Sequence, residues 1–202
     1  MFNIALLAKQ LWRILTKPNL LVSKILKVRY FKGSSIWTTE SSNADSWCWK
    51  SLLKAKGLLE EGMRKLVRNG RTIDIWADRW LPYVGDGRVK AREGEGVQVQ
   101  RVSELIQDGR WDMALVNRIF NGEDAKKVLR IPLSVRPGKD KIYWALSTTG
   151  VYTAKSGYKL AKCRTRREDE RGKKEMASCS KNYSAHSWKF LWGMRVQQKL
   201  KH

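Results

Sequence analysis

The sequence is poor in the residues that build chemical sites. Its 202 residues include two histidines and three cysteines. Cys48, Cys163 and Cys179 are widely spaced and contain no CxxC pair. They form no disulfide framework, so free thiols in a reducing compartment are the default expectation. A zinc site needs four nitrogen or sulfur ligands at short paired spacings. Cys163, Cys179 and His186, with His202 far off, do not supply that pattern, and no metal or other cofactor is expected in this chain. A nucleotidyl-transfer site built on two metals needs clustered carboxylates, but the acids here are scattered. Asp78 lies near Asp74, yet such an acid ordinarily stays solvated or pairs with a neighbour such as Arg79. Glu168-Asp169-Glu170 is flanked by arginines and reads as self-neutralising charge. There is no GxSxG, HExxH, Walker loop or dinucleotide fingerprint. No enzymatic activity is expected of this chain by itself.

Long apolar runs are also missing. None approaches the roughly 18 residues of a membrane span, so no membrane partner is expected. The start is apolar but broken by Lys9, Gln10 and Arg13, and it lacks a small-residue cleavage site. That makes a poor secretory signal. A nuclear or cytoplasmic location is favoured, with a mitochondrial presequence as the minor alternative.

Acid is absent from both ends. Met1 to Lys32 carries seven basic residues (Lys9, Arg13, Lys17, Lys24, Lys27, Arg29 and Lys32) and no Asp or Glu. Met176 to His202 carries five more, again without an acid. Over the whole chain, 41 Lys+Arg against 19 Asp+Glu give a formal net charge of +22. Such an excess points to a polyanion, and RNA or DNA held through its backbone is the first candidate. The competing reading is that these are solvated helix faces with no specific partner. The sequence also holds ten tryptophans. Tryptophan can stack on bases, but inside apolar patterns it is more often a core anchor. Trp76, Trp80, Trp111 and Trp144 are expected in the core.

The pattern along the chain predicts a mostly helical α+β fold. A helix capped by Asn3 carries Leu6, Leu7, Leu11, Ile14 and Leu15, and Pro18 stops it. A second carries Leu21, Ile25, Leu26 and Val28. Basic residues fall between these apolar positions, giving amphipathic helices with cationic outer faces. A third helix spans about 46–61, with Trp47, Leu52, Leu53 and Leu59 apolar. Next, 63–68 and 71–76 read as strands of a hairpin about Asn69-Gly70. Helices follow over 112–120, with Met113 inward, and over 123–130. Strands at 141–146 and 151–153 flank a turn at 148–150, and 154–161 is helical. The expected divisions are a basic helical segment 1–61, a small α+β connector 62–162, a charged and disordered linker 163–187, and a new segment 188–202 opened by Trp188, Phe190, Leu191 and Trp192.

Several short strings occur in a telling order. Gly70, Ile73-Asp74-Ile75-Trp76, Asp78 and Trp80-Leu81-Pro82 come first. Val102-Ser103-Glu104-Leu105-Ile106, Trp111, Ile119-Phe120, Asp124-Ala125 and Ile131-Pro132-Leu133-Ser134 follow. Asp140, Trp144, Gly150-Val151-Tyr152 and Lys155-Ser156-Gly157-Tyr158 complete the set. This set resembles plant LINE-type (non-LTR) retroelement reverse-transcriptase polyproteins. Ala5-Leu6-Leu7-Ala8-Lys9-Gln10 and Trp12-Arg13-Ile14-Leu15 fit the same family. Trp188, Leu191-Trp192, Val196 and Lys199 resemble the start of its zinc-binding region, although Gln197-Gln198 stands where the family has two prolines. The resemblance implies that the polymerase with its metal-binding Asp pair lies upstream of Met1. It places the zinc ligands downstream of His202, with any ribonuclease H domain further on.

The chain then reads as a non-catalytic fragment of such a protein. Its phosphate contacts are assigned to Lys9, Arg13, Lys24, Lys27 and Arg29. The alternatives are a purely structural connector between the polymerase and zinc-binding regions, or a pseudogene remnant without function.

Overall fold

The computed structural model describes residues 2–30, 36–82, 85–92, 99–134 and 138–170, with side chains to 166. The fold is α+β and mostly helical, as the hydrophobic periodicity predicts. It comprises two compact units. One joins the described residues of 1–62 to those from Tyr152 onward, and the other holds those of 63–151.

In the first unit, α1 (Phe2–Thr16) is the central element. Helices α3 (Trp47–Lys54), α4 (Lys56–Gly62) and α7 (Ala154–Glu170) pack against it. Ala5 and Ala8 on α1 are fully buried. Their small side chains let the neighbouring helices approach closely. Trp49, Ala55 and Leu59 are also fully buried, with Leu160 and Ala161 of α7 nearly so. Tyr152 ties the unit together: its hydroxyl donates to the Ala5 carbonyl at 2.9 Å. Burial pushes its pKa up to about 12. A Cβ at Gly157 would run into the Tyr152 hydroxyl, so the glycine makes room for the phenol. Reciprocal bonds between Thr153 and Ser156 close the first turn of α7. That local closure explains why 151–153 forms no strand.

Four further expectations change in this unit. Asn3 lies inside α1 rather than before it. The single helix expected over 46–61 is two, separated at Ala55. Helix α7 continues to Glu170, through the first part of the stretch read as a linker, and packs on α1 rather than with the connector. Cys163 lies in a disulfide, so the expectation of free thiols fails there, whereas Cys48 is free and exposed.

The second unit is organised by a strand pair that is distant in sequence. β1 (Met63–Leu66) runs antiparallel to β4 (Lys141–Trp144), with Met63 opposite Trp144 and Leu66 opposite Lys141. This replaces the predicted hairpin of 63–68 with 71–76. The turn itself is present, with Gly70 at φ +68°. The Asp140 carboxylate accepts from the backbone amides of Arg68, Asn69, Gly70 and Thr72 and from the Thr72 hydroxyl, at 2.8–3.1 Å. Those amides would otherwise serve a hairpin ladder, and Asp140 brings β4 alongside β1 in its place.

A short hairpin does form elsewhere: β2 (Ile106–Gln107) pairs with β3 (Arg110–Trp111) around Asp108-Gly109. Asp112 caps α5 (Met113–Ile119) by accepting from the Leu115 amide. Asn121 caps α6 (Gly122–Leu129), whose first turn is acidic and last turn basic, matching the helix dipole. Ile73, Ile75, Trp80, Val102, Leu105, Val116, Ile119, Phe120 and Val128 form the core. Trp80 and Trp144 are fully buried, while Trp76 and Trp111 are partly buried and pack against that core. Trp76, Trp80 and Trp111 donate their indole N–H groups to the carbonyls of Val99, Ile75 and Ile131 respectively. Met113, expected inward, is exposed, because Val116, Ile119 and Phe120 already fill the inner face of α5.

Candidate nucleic-acid interface

The cations read as phosphate contacts sit on α1 and on α2 (Leu21–Tyr30). Lys9, Arg13, Lys24, Lys27 and Arg29 are all exposed. Lys9 and Arg13 are four residues apart and so share one side of α1, opposite the face that packs on α7 and α4. Lys24 and Lys27 are three apart on α2 and share a side in the same way.

The connection between these helices is fixed locally. α1 ends at Thr16, two residues before Pro18, and α2 resumes at Leu21. The Thr16 hydroxyl donates to the Trp12 carbonyl at 2.8 Å. Ser23, the buried residue of α2, donates to the Lys17 carbonyl at 2.9 Å. Leu21, Ile25 and Val28 are 74%, 52% and 62% exposed and form an apolar ridge along α2. Lys24 and Arg29 border it.

The end of α2 is held against α3. The Tyr30 and Trp49 rings stack with centroids 4.6 Å apart and planes 6° from parallel. The Tyr30 hydroxyl donates to Ser46 Oγ at 2.9 Å, and Ser46 caps α3 by accepting from the Trp49 amide. The Arg29 guanidinium lies 5.5 Å from the centre of the Tyr30 ring. The Ser46 bond, aided by the Arg29 charge, lowers the Tyr30 pKa. Trp47, expected to face the core, is 83% exposed, and Trp49 occupies the core position instead.

The acids that attract attention in the sequence have structural partners. Asp78 accepts from Lys65 Nζ at 2.6 Å and from the Asp74 amide at 2.7 Å. Asp74 accepts from the amides of Trp76 and Ala77. Arg79, the partner anticipated for Asp78, pairs with Asp86. Asp124 is buried and accepts from Lys127 Nζ, the Lys90 amide and Asn121 Nδ2. Burial alone would raise its pKa, but these donors, Lys127 foremost, lower it. Sequence reasoning missed this anchor; Asn121 and Asp124 at helix-start spacing were the available signal. Among the described residues, no three His, Cys, Asp or Glu side chains converge as metal ligands, and no helix is long and apolar enough to cross a membrane. Cys179, His186, His202, the 188–192 apolar cluster and the side chains of Glu168, Asp169 and Glu170 lie outside the described residues.

No family model matches the chain, and no solved structure matches it. Relatives are found among plant proteins. An uncharacterized mitochondrial protein of Arabidopsis thaliana is 38% identical over 80 residues, which is 40% of this chain and 52% of that protein. Another protein of that plant, described as a putative ribonuclease H protein, is 24% identical over 208 residues, covering 98% of this chain and 31% of its own length. The chain therefore spans about half the length of one relative and under a third of the other.

Proposed function

We propose that this chain is a non-catalytic segment of a plant LINE-type reverse-transcriptase polyprotein that holds RNA or DNA through backbone charge. The observation that carries the reading is the exposure of Lys9, Arg13, Lys24, Lys27 and Arg29 on two helices that contain no acid. Phosphate contacts need cations presented to solvent, without neighbouring carboxylates that compete for them. The ordered family strings support the parentage. So does the similarity along nearly the whole chain to a protein described as a ribonuclease H protein. In the parent, the unit built on 1–62 and closed by α7 would serve as the basic segment after the polymerase, and 63–151 as the connector toward a zinc-binding region.

A salt series tests this. The purified chain is titrated against a labelled RNA hairpin and a matched DNA duplex, with a same-charge scrambled chain as control. The expected result is binding tighter than the control, falling steeply with salt and showing little sequence preference. Affinity equal to the control overturns the reading.

The apolar ridge of Leu21, Ile25 and Val28 favours a second reading, a connector that packs against other parts of a longer protein. That reading predicts folded helices and no affinity beyond that of any cationic chain.

A further inference from the structure

Tyr30, Trp47 and Trp49 lie close in the fold or the sequence, but they are not equivalent. Tyr30 and Trp49 present ring faces to each other, and Trp49 is fully buried. Trp47, at the first position of α3, is 83% exposed. An indole left this open leaves much of its surface in water, although a large apolar ring is usually buried.

The helix places cations beside it. Lys50 and Lys54 follow Trp47 at three and seven residues and share its side of α3. By helix geometry they rise about 4.5 and about 10.5 Å along the axis from Trp47. Lys54 is exposed, and Lys50 Nζ donates to the Asn43 carbonyl at 3.0 Å with two further protons to offer. The loop carboxylate nearest in sequence, Asp45, accepts from the Ser42 amide at 2.7 Å. On the other side of the Ser46 cap, Tyr30 brings Arg29 to the same corner of the unit.

We infer that Trp47 is a stacking platform for an unpaired base, with Lys50 and Lys54 taking the adjoining phosphates of a single strand. An exposed ring flanked by ammonium groups matches the way single strands are held without sequence readout: a π-face for the base and point charges for the backbone. A duplex hides its base faces and gains only the charge contacts. The inference rests on the proposed nucleic-acid role and adds a preference for unpaired strands.

The test uses the full chain with two labelled probes, an unstructured oligo-dT and a blunt DNA duplex. Trp47→Ala is expected to weaken oligo-dT binding roughly 5- to 150-fold, the range set by removing one base stack. Duplex affinity stays within about 2-fold, since phosphate contacts remain. Trp47→Phe, which keeps a π-face, recovers most of the affinity. Because Trp47 is exposed, all three proteins should melt alike by circular dichroism. Unchanged oligo-dT affinity in Trp47→Ala overturns the inference and leaves Trp47 as a protein contact. An equal loss on both probes also overturns it. If the wild-type chain binds neither probe better than a same-charge scrambled chain, the proposed function falls and this inference falls with it.

Discussion

Asp140 Oδ1 lies 2.9 Å from the amide nitrogen of Gly70, across 70 residues of sequence. The same carboxylate holds the whole 68–72 turn and so sets the partner of β1. Asp140→Ala leaves several amides without an acceptor, at about 1–3 kcal/mol for each one left desolvated. A net loss of about 2–4 kcal/mol is expected, since water reaches part of the turn. Urea unfolding followed by tryptophan fluorescence measures it. A change under about 0.5 kcal/mol, the size of an ordinary surface substitution, would remove Asp140 from its organising role.

The same group makes a pH prediction. Burial would raise the Asp140 pKa, but the amides of Arg68, Thr72 and Gly70 and the Thr72 hydroxyl together lower it. A carboxylate depressed in the folded state contributes stability above its unfolded pKa and loses that contribution as pH falls through the folded value. Wild-type stability should therefore drop below about pH 4, and Asp140→Asn should flatten that part of the curve. Denaturant midpoints measured from about pH 2 to about pH 6, the range of carboxylate titration, would show it.

In the first unit, Tyr152→Phe removes the donor to the Ala5 carbonyl and should cost about 1 kcal/mol. The phenol pKa is raised to about 12, so its contribution is complete below about pH 10 and fades as pH rises toward the folded value. The stability gap between wild type and Tyr152→Phe should narrow over that window. Gly157→Ala should destabilise by more, because its Cβ meets the Tyr152 hydroxyl directly. Thermal melts of the three proteins rank them, and a neutral Gly157→Ala would contradict the packing described.

Charge removal probes the proposed interface. Replacing Lys9 and Arg13 by Gln, or Lys24, Lys27 and Arg29, should lower the slope of log affinity against log salt by about 0.7–0.9 for every phosphate that is no longer neutralised. Melting should change little, because all five side chains are exposed. If neither set changes the slope, the phosphates are held elsewhere.

Local chemistry is legible in the sequence, and long-range pairing is not. Pro18 marks the break between α1 and α2, and the alternation of Ile73 and Ile75 puts both on one side, where both are buried. The Asn69-Gly70 turn is visible because positive φ favours glycine there. Its partner is not, because an aspartate 70 residues away carries no periodic signal. Trp47 and Trp49 illustrate a different limit. Two tryptophans two residues apart point in roughly opposite directions on a helix, and tertiary packing, with Tyr30 stacked on Trp49, decides which is buried. At the candidate interface, the sequence identifies the cations, but its apolar pattern points Trp47 toward the core.

The bond from Tyr152 to Ala5 joins residues 147 apart, and it has a consequence for synthesis. Elements from both sides of 63–151 must be present before the first unit can close, whereas that intervening stretch is continuous. On the ribosome, α1 emerges early and waits for α7 with the part of its buried face that α3 and α4 do not cover open to water. The middle of the chain can acquire its core first. A nascent chain stalled before Tyr152 should therefore resist protease in its middle while its amino-terminal helices are still cut.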